Sequence, residues 1–146
     1  MKTMTGLAAA LLLVGGCASV QNARAHLVKS PPRCVDQTVQ IYFEPDSAEV
    51  TREGRMVINQ AASNAAGCRV TAVDVIGLSD AAGGADANLQ LSKRRADAVA
   101  AALTANGLPN AEFKTAMGQA GAVTASGQAQ PLRRRADVTL HLAPRS

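Results

Sequence analysis

At 146 residues and a net charge of +4, with 47% hydrophobic but only 2% aromatic residues, the chain has room for one domain built around an aliphatic core. The mild positive charge admits partners bearing phosphate or carboxylate groups without selecting among them. Tyr42, Phe43 and Phe113 are the aromatic complement, too few for the stacking platforms of single-stranded nucleic-acid binding, so no nucleic-acid partner is expected.

Lys2 precedes an apolar run, Leu7 to Val14, that ends in Gly15 and Gly16 just before Cys17. This pattern is that of a bacterial secretory signal, and the run is shorter than the roughly 20 apolar residues of a permanent membrane span. Val14-Gly15-Gly16-Cys17 resembles a lipobox, whose cysteine is alkylated by diacylglycerol and becomes the new N-terminus after cleavage. The alternative is ordinary cleavage after Ala23-Arg24-Ala25. With lipidation, the buried acyl chains hold the protein on a membrane at about 0.8 kcal/mol per methylene. Ala18 in place of Asp after the cysteine implies sorting to the outer membrane. Residues 1–16 are therefore expected to be a signal peptide, residues 17–33 a lipidated tether, and residues 34–146 the folded domain.

Export also bears on the other cysteines. In an oxidising compartment Cys34 and Cys68 are expected to form a disulfide, the alternative being two buried thiols that act as small hydrophobes. A zinc site does not fit, because the cysteines lack close pair spacing and His26 and His141 stand far from them in sequence. No cofactor is expected.

From Ala18 to Arg33 the chain is polar, aperiodic and closed by Ser30-Pro31-Pro32. At about 3.3 Å per residue such a tether reaches roughly 50 Å at most. Gln37 to Phe43 then alternates, with Val39, Ile41 and Phe43 on one side, and stops at Glu44-Pro45-Asp46, which predicts a strand. Thr51 as N-cap with Glu53 in the first turn, followed by Met56, Val57, Gln60, Ala61 and Asn64 at helical spacing, predicts a helix ending at Gly67. Arg69 to Leu78 is β-branched and predicts a second strand, leaving through the loop Ser79 to Gly84.

Asn88 to Asn106 predicts the longest helix, with Leu89, Ala96, Val99 and Leu103 on its apolar stripe and Gly107-Leu108-Pro109 closing it. Ala111 to Met117 and Ala136 to Leu142 are expected as two further strands. Between them Gly118 to Pro131 has no period and is expected to be loop, with room for a short third helical turn. The order β-α-β-α-β-β predicts an α/β (α+β) two-layer sandwich, a mixed sheet with the helices on one face.

Two residues stand out before any family is considered. Asp80 lies just past the C-terminal end of the second strand, where open α/β sheets place ligands. Arg95 lies on the row Leu91, Arg95, Val99, beside the apolar stripe, where a guanidinium needs an anionic partner. Either Asp80 and Arg95 pair with each other and pin the loop, or they flank a pocket for a zwitterion, the carboxylate taking an ammonium and the guanidinium gripping a carboxylate two-pronged. The Ala- and Gly-rich loop between them lets backbone N–H groups approach a ligand.

Gly77-Leu78-Ser79-Asp80, then Asn88, then Leu91-Ser92-Lys93-Arg94-Arg95-Ala96, resembles the OmpA-family signature G-x-T-D followed by N-x-x-L-S-x-R-R-A. Ile41-Tyr42-Phe43 leading into Asp46-Ser47-Ala48-Glu49, the Gly107 helix stop and Arg134-Arg135 before the last strand match as well. The resemblance spans about residues 38 to 142 and, with the lipobox, is similar to the peptidoglycan-associated lipoproteins. It implies non-covalent binding of the peptidoglycan stem peptide, Asp80 and Arg95 matching the residues that hold the ammonium and carboxylate of meso-diaminopimelate. Asn88 matches the family asparagine on the binding side, and Asp46 and Ser47 lie in a bordering loop. Ser79 stands in place of the usual threonine and keeps the hydroxyl. Glu44-Pro45 and Arg133 depart from the family pattern.

Outside that motif, Arg133-Arg134-Arg135 is expected to pair with neighbouring carboxylates and cap the last strand, and His141, alternating with Leu140 and Leu142, to face solvent. Three functions compete: a binding module tethering the outer membrane to the wall, a wall hydrolase or transpeptidase, and an envelope-complex subunit that uses the fold to bind a protein partner. The enzyme reading lacks a convincing nucleophile and base, so binding without catalysis is the expectation.

Overall fold

The computed structural model of the protein describes residues 33–130 and 133–145; the expected signal peptide, Cys17 and the tether as far as Pro32 lie outside the described residues. Six elements follow the expected order: β1 (Gln37–Tyr42), α1 (Arg52–Ala65), β2 (Arg69–Gly77), α2 (Ala85–Ala105), β3 (Phe113–Ala116) and β4 (Arg135–Ala143). The strands form one mixed sheet in the order β1-β4-β2-β3. β4 runs antiparallel to both β1 and β2, and β3 runs parallel to β2.

Alternation decides which face is covered. Ala136, Val138, Leu140 and Leu142 of β4 and Val73, Val75 and Gly77 of β2 are buried, while Asp137, Thr139, His141, Asp74 and Ile76 between them are only partly so. The helices supply the other half of the core. Gly54, Ile58, Ala61 and Ala65 on α1, and Leu91, Ala96, Val99 and Leu103 on α2, are buried against the sheet. Ile41, Ile58, Val73, Val75, Val99, Leu103, Val138 and Leu140 are fully excluded from water, each contributing roughly 1.5–3 kcal/mol of apolar transfer. The core cluster is drawn from residues 41 to 142, so this unit buries a core of its own.

The helix ends are set as the sequence predicts, with differences of detail. The Thr51 hydroxyl accepts from the Gly54 N–H at 3.0 Å and Glu53 lies in the first turn of α1, which favours the positive helix end. At the far end of α2, Gly107 adopts φ +79°. Leu108 N donates to Leu103 O and Gly107 N to Thr104 O, the paired closure that a left-handed residue permits. Met56 and Leu89, expected on the apolar stripes, are 61% and 45% exposed. In these Ala-rich helices the buried rows are instead the neighbouring ones, centred on Ile58 and on Leu91-Arg95-Val99. α2 also starts three residues before Asn88, because its N-cap is Gly84, which has no side chain to signal the start. β3 is shorter than expected. Residues 118–130 hold hydrogen-bonded turns and a single bridge between Val123 and Ala129, where a short helical turn had room.

Cys34 and Cys68 form the expected disulfide, with an S–S distance of 2.02 Å and Cα atoms 5.6 Å apart. It joins the residue leading into edge strand β1 to the start of central strand β2. β1 and β2 point the same way, so both strands end, and both following helices begin, at one pole of the unit. The disulfide lies at the other.

Candidate functional site

At that first pole β2 and α2 meet without space for a side chain. A Cβ added at Gly77 would sit 1.9 Å from the carbonyl oxygen of Ser92, so only glycine lets the strand lie against the helix. Ser92 donates its hydroxyl to Leu89 O at 2.9 Å and accepts the Gly118 N–H at 2.9 Å, and Gly118 O accepts the Ser79 N–H at 2.8 Å. Through these bonds the end of β2, the middle of α2 and the loop after β3 are clamped together.

Arg95 fills the centre of the clamp and is fully buried. Its Nε donates to Ser47 O at 2.8 Å, Nη1 to Leu78 O at 3.0 Å and Nη2 to Glu44 O at 3.2 Å. The guanidinium lies 5.0 Å from the centre of the Phe43 ring, within cation–π range. Burial lowers its pKa from the ordinary arginine value; Asp80 and Asp46 oppose that shift, and Arg134 and Arg94 reinforce it. A guanidinium stays charged even so, and three neutral carbonyls compensate its desolvation.

Asp80 reaches the same place from the loop. It does not pair with Arg95: its Oδ2 accepts from Nη1 of Arg134 at 3.0 Å, and its Oδ1 lies 3.4 Å from the Ala82 N–H. The side chains of Asp80 and Arg134 are 18% and 32% exposed, so this ion pair is open to solvent where Arg95 is not. Arg135 pairs with Asp137 at 2.6 Å, and Arg133 donates to Ala120 O. The arginine run therefore does pair with carboxylates at Arg134 and Arg135, one of them across the site.

The other sequence candidates divide. Asn88, nearly buried, donates to Ala82 O and to Oε1 of Gln119, both at 2.8 Å, and so fastens the Asp80 loop to α2. Ser79 is fully buried, and its hydroxyl has no hydrogen-bond partner among the described residues. Asp46 sits at φ +53°, a left-handed position that aspartate tolerates. Its neighbour Ser47 offers its carbonyl to Arg95 and its hydroxyl to the Glu49 N–H at 3.0 Å. Asp46, Ser47, Ser79, Asp80, Asn88 and Arg95 thus converge on one pole. Gln119, Phe43 and the Arg134 contact were not singled out from sequence. Phe43 and Arg134 had a signal, in the Ile41-Tyr42-Phe43 strand and in the arginine pair before β4; Gln119 had none.

The arrangement offers one carboxylate and two guanidinium groups within a shell of backbone carbonyls, beside the N-terminal ends of α1 and α2, which favour negative charge. It suits a zwitterion, ammonium to Asp80 and carboxylate to arginine. Two clefts, of about 530 and 470 Å3, lie elsewhere, one beside Asp97 and Lys114 and one beside Cys68 and Arg145.

Residues 42–136 match the model of the OmpA family. The chain is 36% identical over 105 residues to the probable lipoprotein YiaD of Escherichia coli strain K12, covering 68% of this chain and 47% of that one. It thus spans about half the length of this curated relative. Among solved structures, the peptidoglycan-associated lipoprotein from Burkholderia pseudomallei superposes with a TM-score of 0.55 at 27% identity, over 71% of this chain and 89% of that one. The OmpA-like domain of FopA1 from Francisella tularensis gives a TM-score of 0.61 at 19% identity, over 74% and 76% of the two chains, a likeness of fold.

Proposed function

The chain belongs to the OmpA family, and from that premise we propose that it binds peptidoglycan without chemical conversion, receiving the diaminopimelate of the stem peptide at Asp80 and Arg95. The observation that carries this reading is their convergence: Arg95 donates to the carbonyl of Leu78, two residues before Asp80, while Asp80 holds the exchangeable partner Arg134. On binding, the ligand ammonium replaces Arg134 on Asp80. The freed Arg134, together with the N–H groups of Arg95 not spent on carbonyls, takes the carboxylate. The relative from Burkholderia pseudomallei is by name associated with peptidoglycan, and YiaD is by name a lipoprotein. In keeping with both, Cys17 carries the acyl anchor, the domain stands in the envelope, and the protein joins the outer membrane to the wall.

The test is sedimentation of the protein with purified sacculi, beside Asp80→Asn and Arg134→Gln, with circular dichroism confirming that each is folded. Wild-type sedimentation that both variants lose, and that free diaminopimelate-containing peptide competes away, is the expected outcome. Equal sedimentation of all three proteins, or of none, would overturn the proposal and favour a protein partner on this fold. Release of soluble muropeptides from the sacculi would return the enzyme reading.

A further inference from the structure

The pole opposite Asp80 carries its own pattern. Arg33 precedes Cys34 and Arg69 follows Cys68, so the disulfide brings both arginines to one place. Arg145 joins them, donating from Nε to Cys68 O at 3.2 Å and from Nη2 to Ala66 O at 3.0 Å, where it also closes the carbonyl end of α1. Arg33, Arg69 and Arg145 are exposed, and none makes an ion pair with a described residue. The nearby carboxylate of Asp36 is engaged with His141 at 2.7 Å and with the Leu142 N–H at 3.0 Å. Beside the arginines opens the cleft of about 470 Å3 lined by Cys68, Arg69, Val70, Gly107, Pro109 and Arg145. β2 runs from Arg69 at this pole to Gly77 at the other, about 25–30 Å away at strand rise.

We infer that the Arg33, Arg69 and Arg145 pole is a docking surface for the anionic headgroups of the phospholipid bilayer to which the chain is anchored. The inference rests on the reading of Cys17 as a lipid anchor. The segment from Cys17 enters the domain at Arg33, so the point of attachment to the anchor lies on this face. Three cations without acidic partners among the described residues complement a phosphate-bearing surface, and attraction of this kind acts within a Debye length. Docking here turns the Asp80 pole outward, away from the membrane and toward the wall.

The test uses the unacylated chain 18–146, whose folded unit has its own core, in co-sedimentation with vesicles of mixed phosphatidylglycerol and phosphatidylcholine or of phosphatidylcholine alone, at low salt. Binding is expected to the anionic vesicles only. It should weaken about thirty-fold in the Arg33→Gln/Arg69→Gln variant, from roughly a factor of five for each arginine near a charged surface. Arg52→Gln/Lys93→Gln, which removes the same charge elsewhere on the surface, should bind as wild type. Equal loss in both variants, no loss in the first, or equal binding to neutral vesicles overturns the inference. So does a first variant that loses sedimentation with sacculi and keeps vesicle binding, which would assign the pole to an anionic wall polymer. Mass spectrometry of the native full chain reads acylation separately, so failure of the anchor and failure of the surface are told apart.

Discussion

Nη1 of Arg134 lies 3.0 Å from Oδ2 of Asp80, a partner 54 residues away in sequence, while Arg95, on the helix that follows the Asp80 loop, spends its guanidinium on the carbonyls of Glu44, Ser47 and Leu78. The two arginines therefore differ in kind. Arg95 holds three chain segments together, and Arg134 is the partly exposed partner of Asp80.

This difference separates stability from binding. Arg95→Ala leaves three carbonyls facing a void and should cost roughly 3–5 kcal/mol in all, from about 1–3 kcal/mol for each buried acceptor left unsatisfied. Asp80→Asn breaks a partly exposed ion pair and should cost under about 1 kcal/mol. Urea unfolding of the two variants checks the ranking. If Arg95→Ala unfolds no more easily than Asp80→Asn, the structural role of Arg95 is wrong. Loss of sacculus binding by Asp80→Asn at near wild-type stability is then the cleaner evidence for the ligand.

Gly77→Ala should be among the most damaging small substitutions in the domain. The added methyl meets the Ser92 carbonyl at 1.9 Å, and because that oxygen belongs to the helix backbone, α2 must move as a body and carry Arg95 with it. A loss of about 3 kcal/mol, at the upper end for overpacking, corresponds to a fall in Tm of roughly 10–20 °C. A thermal melt by circular dichroism within a few degrees of wild type would contradict the close approach.

His141 links stability to pH. Its Nδ1 lies 2.7 Å from Asp36 and its Nε2 3.2 Å from Asp74, and hydrogen bonds to Asp36, then to Asp74, raise its pKa above the ordinary 6.5. A raised folded pKa contributes stability that is fully present below 6.5 and is lost as pH rises through the folded value. The Asp36 carboxylate, held down first by the Leu142 N–H and then by His141, behaves oppositely. Its contribution is present above its ordinary 3.8 and is lost as pH falls through the lower folded value. The urea midpoint should therefore fall in wild type as pH rises from 6.5 through the raised folded value, and stay flat over that range in His141→Gln; the same drop in both proteins would assign it elsewhere.

Reduction of the Cys34–Cys68 bridge, which closes a separation of 34 residues, should lower stability by about 2–4 kcal/mol through the entropy returned to the unfolded chain. The Cys34→Ser/Cys68→Ser double variant should unfold at lower urea by a matching amount. Dithiothreitol should lower the wild-type midpoint and leave the double variant unmoved; an equal drop in both would mean that the bridge is not the source of the lost stability.

Much of this was legible in the sequence because the signals are local. The alternation of Val138, Leu140 and Leu142, the Thr51 cap and the Gly107 stop each report a neighbour within a few residues, and the element order follows. The site was legible as a set of residues and illegible as a set of contacts. Asp80 looked for a partner across its own loop, yet the nearest cation comes from the far end of the chain, delivered by the antiparallel pairing of β4 with β2. Arg95 looked for an anion and found carbonyls, which no residue type announces. The helix face was misplaced at Leu89 because alanine lies on both sides of α2, and at Met56 because the buried row of α1 is made of Gly54, Ala61 and Ala65 around Ile58, small residues that carry little periodicity.

The sulfur bridge also decides which strand carries tension. If the outer membrane and the wall are drawn apart, a pull arriving from the N-terminal side enters the domain at Cys34. Without the bridge it would pass into β1, an edge strand laddered on one side only, to β4. The bridge diverts the load to Cys68 and so to β2, which is laddered to β4 on one side and β3 on the other and ends three residues before Asp80. In the proposed tether, force would then run lengthwise along a central strand, where yielding requires two rows of hydrogen bonds to shear together.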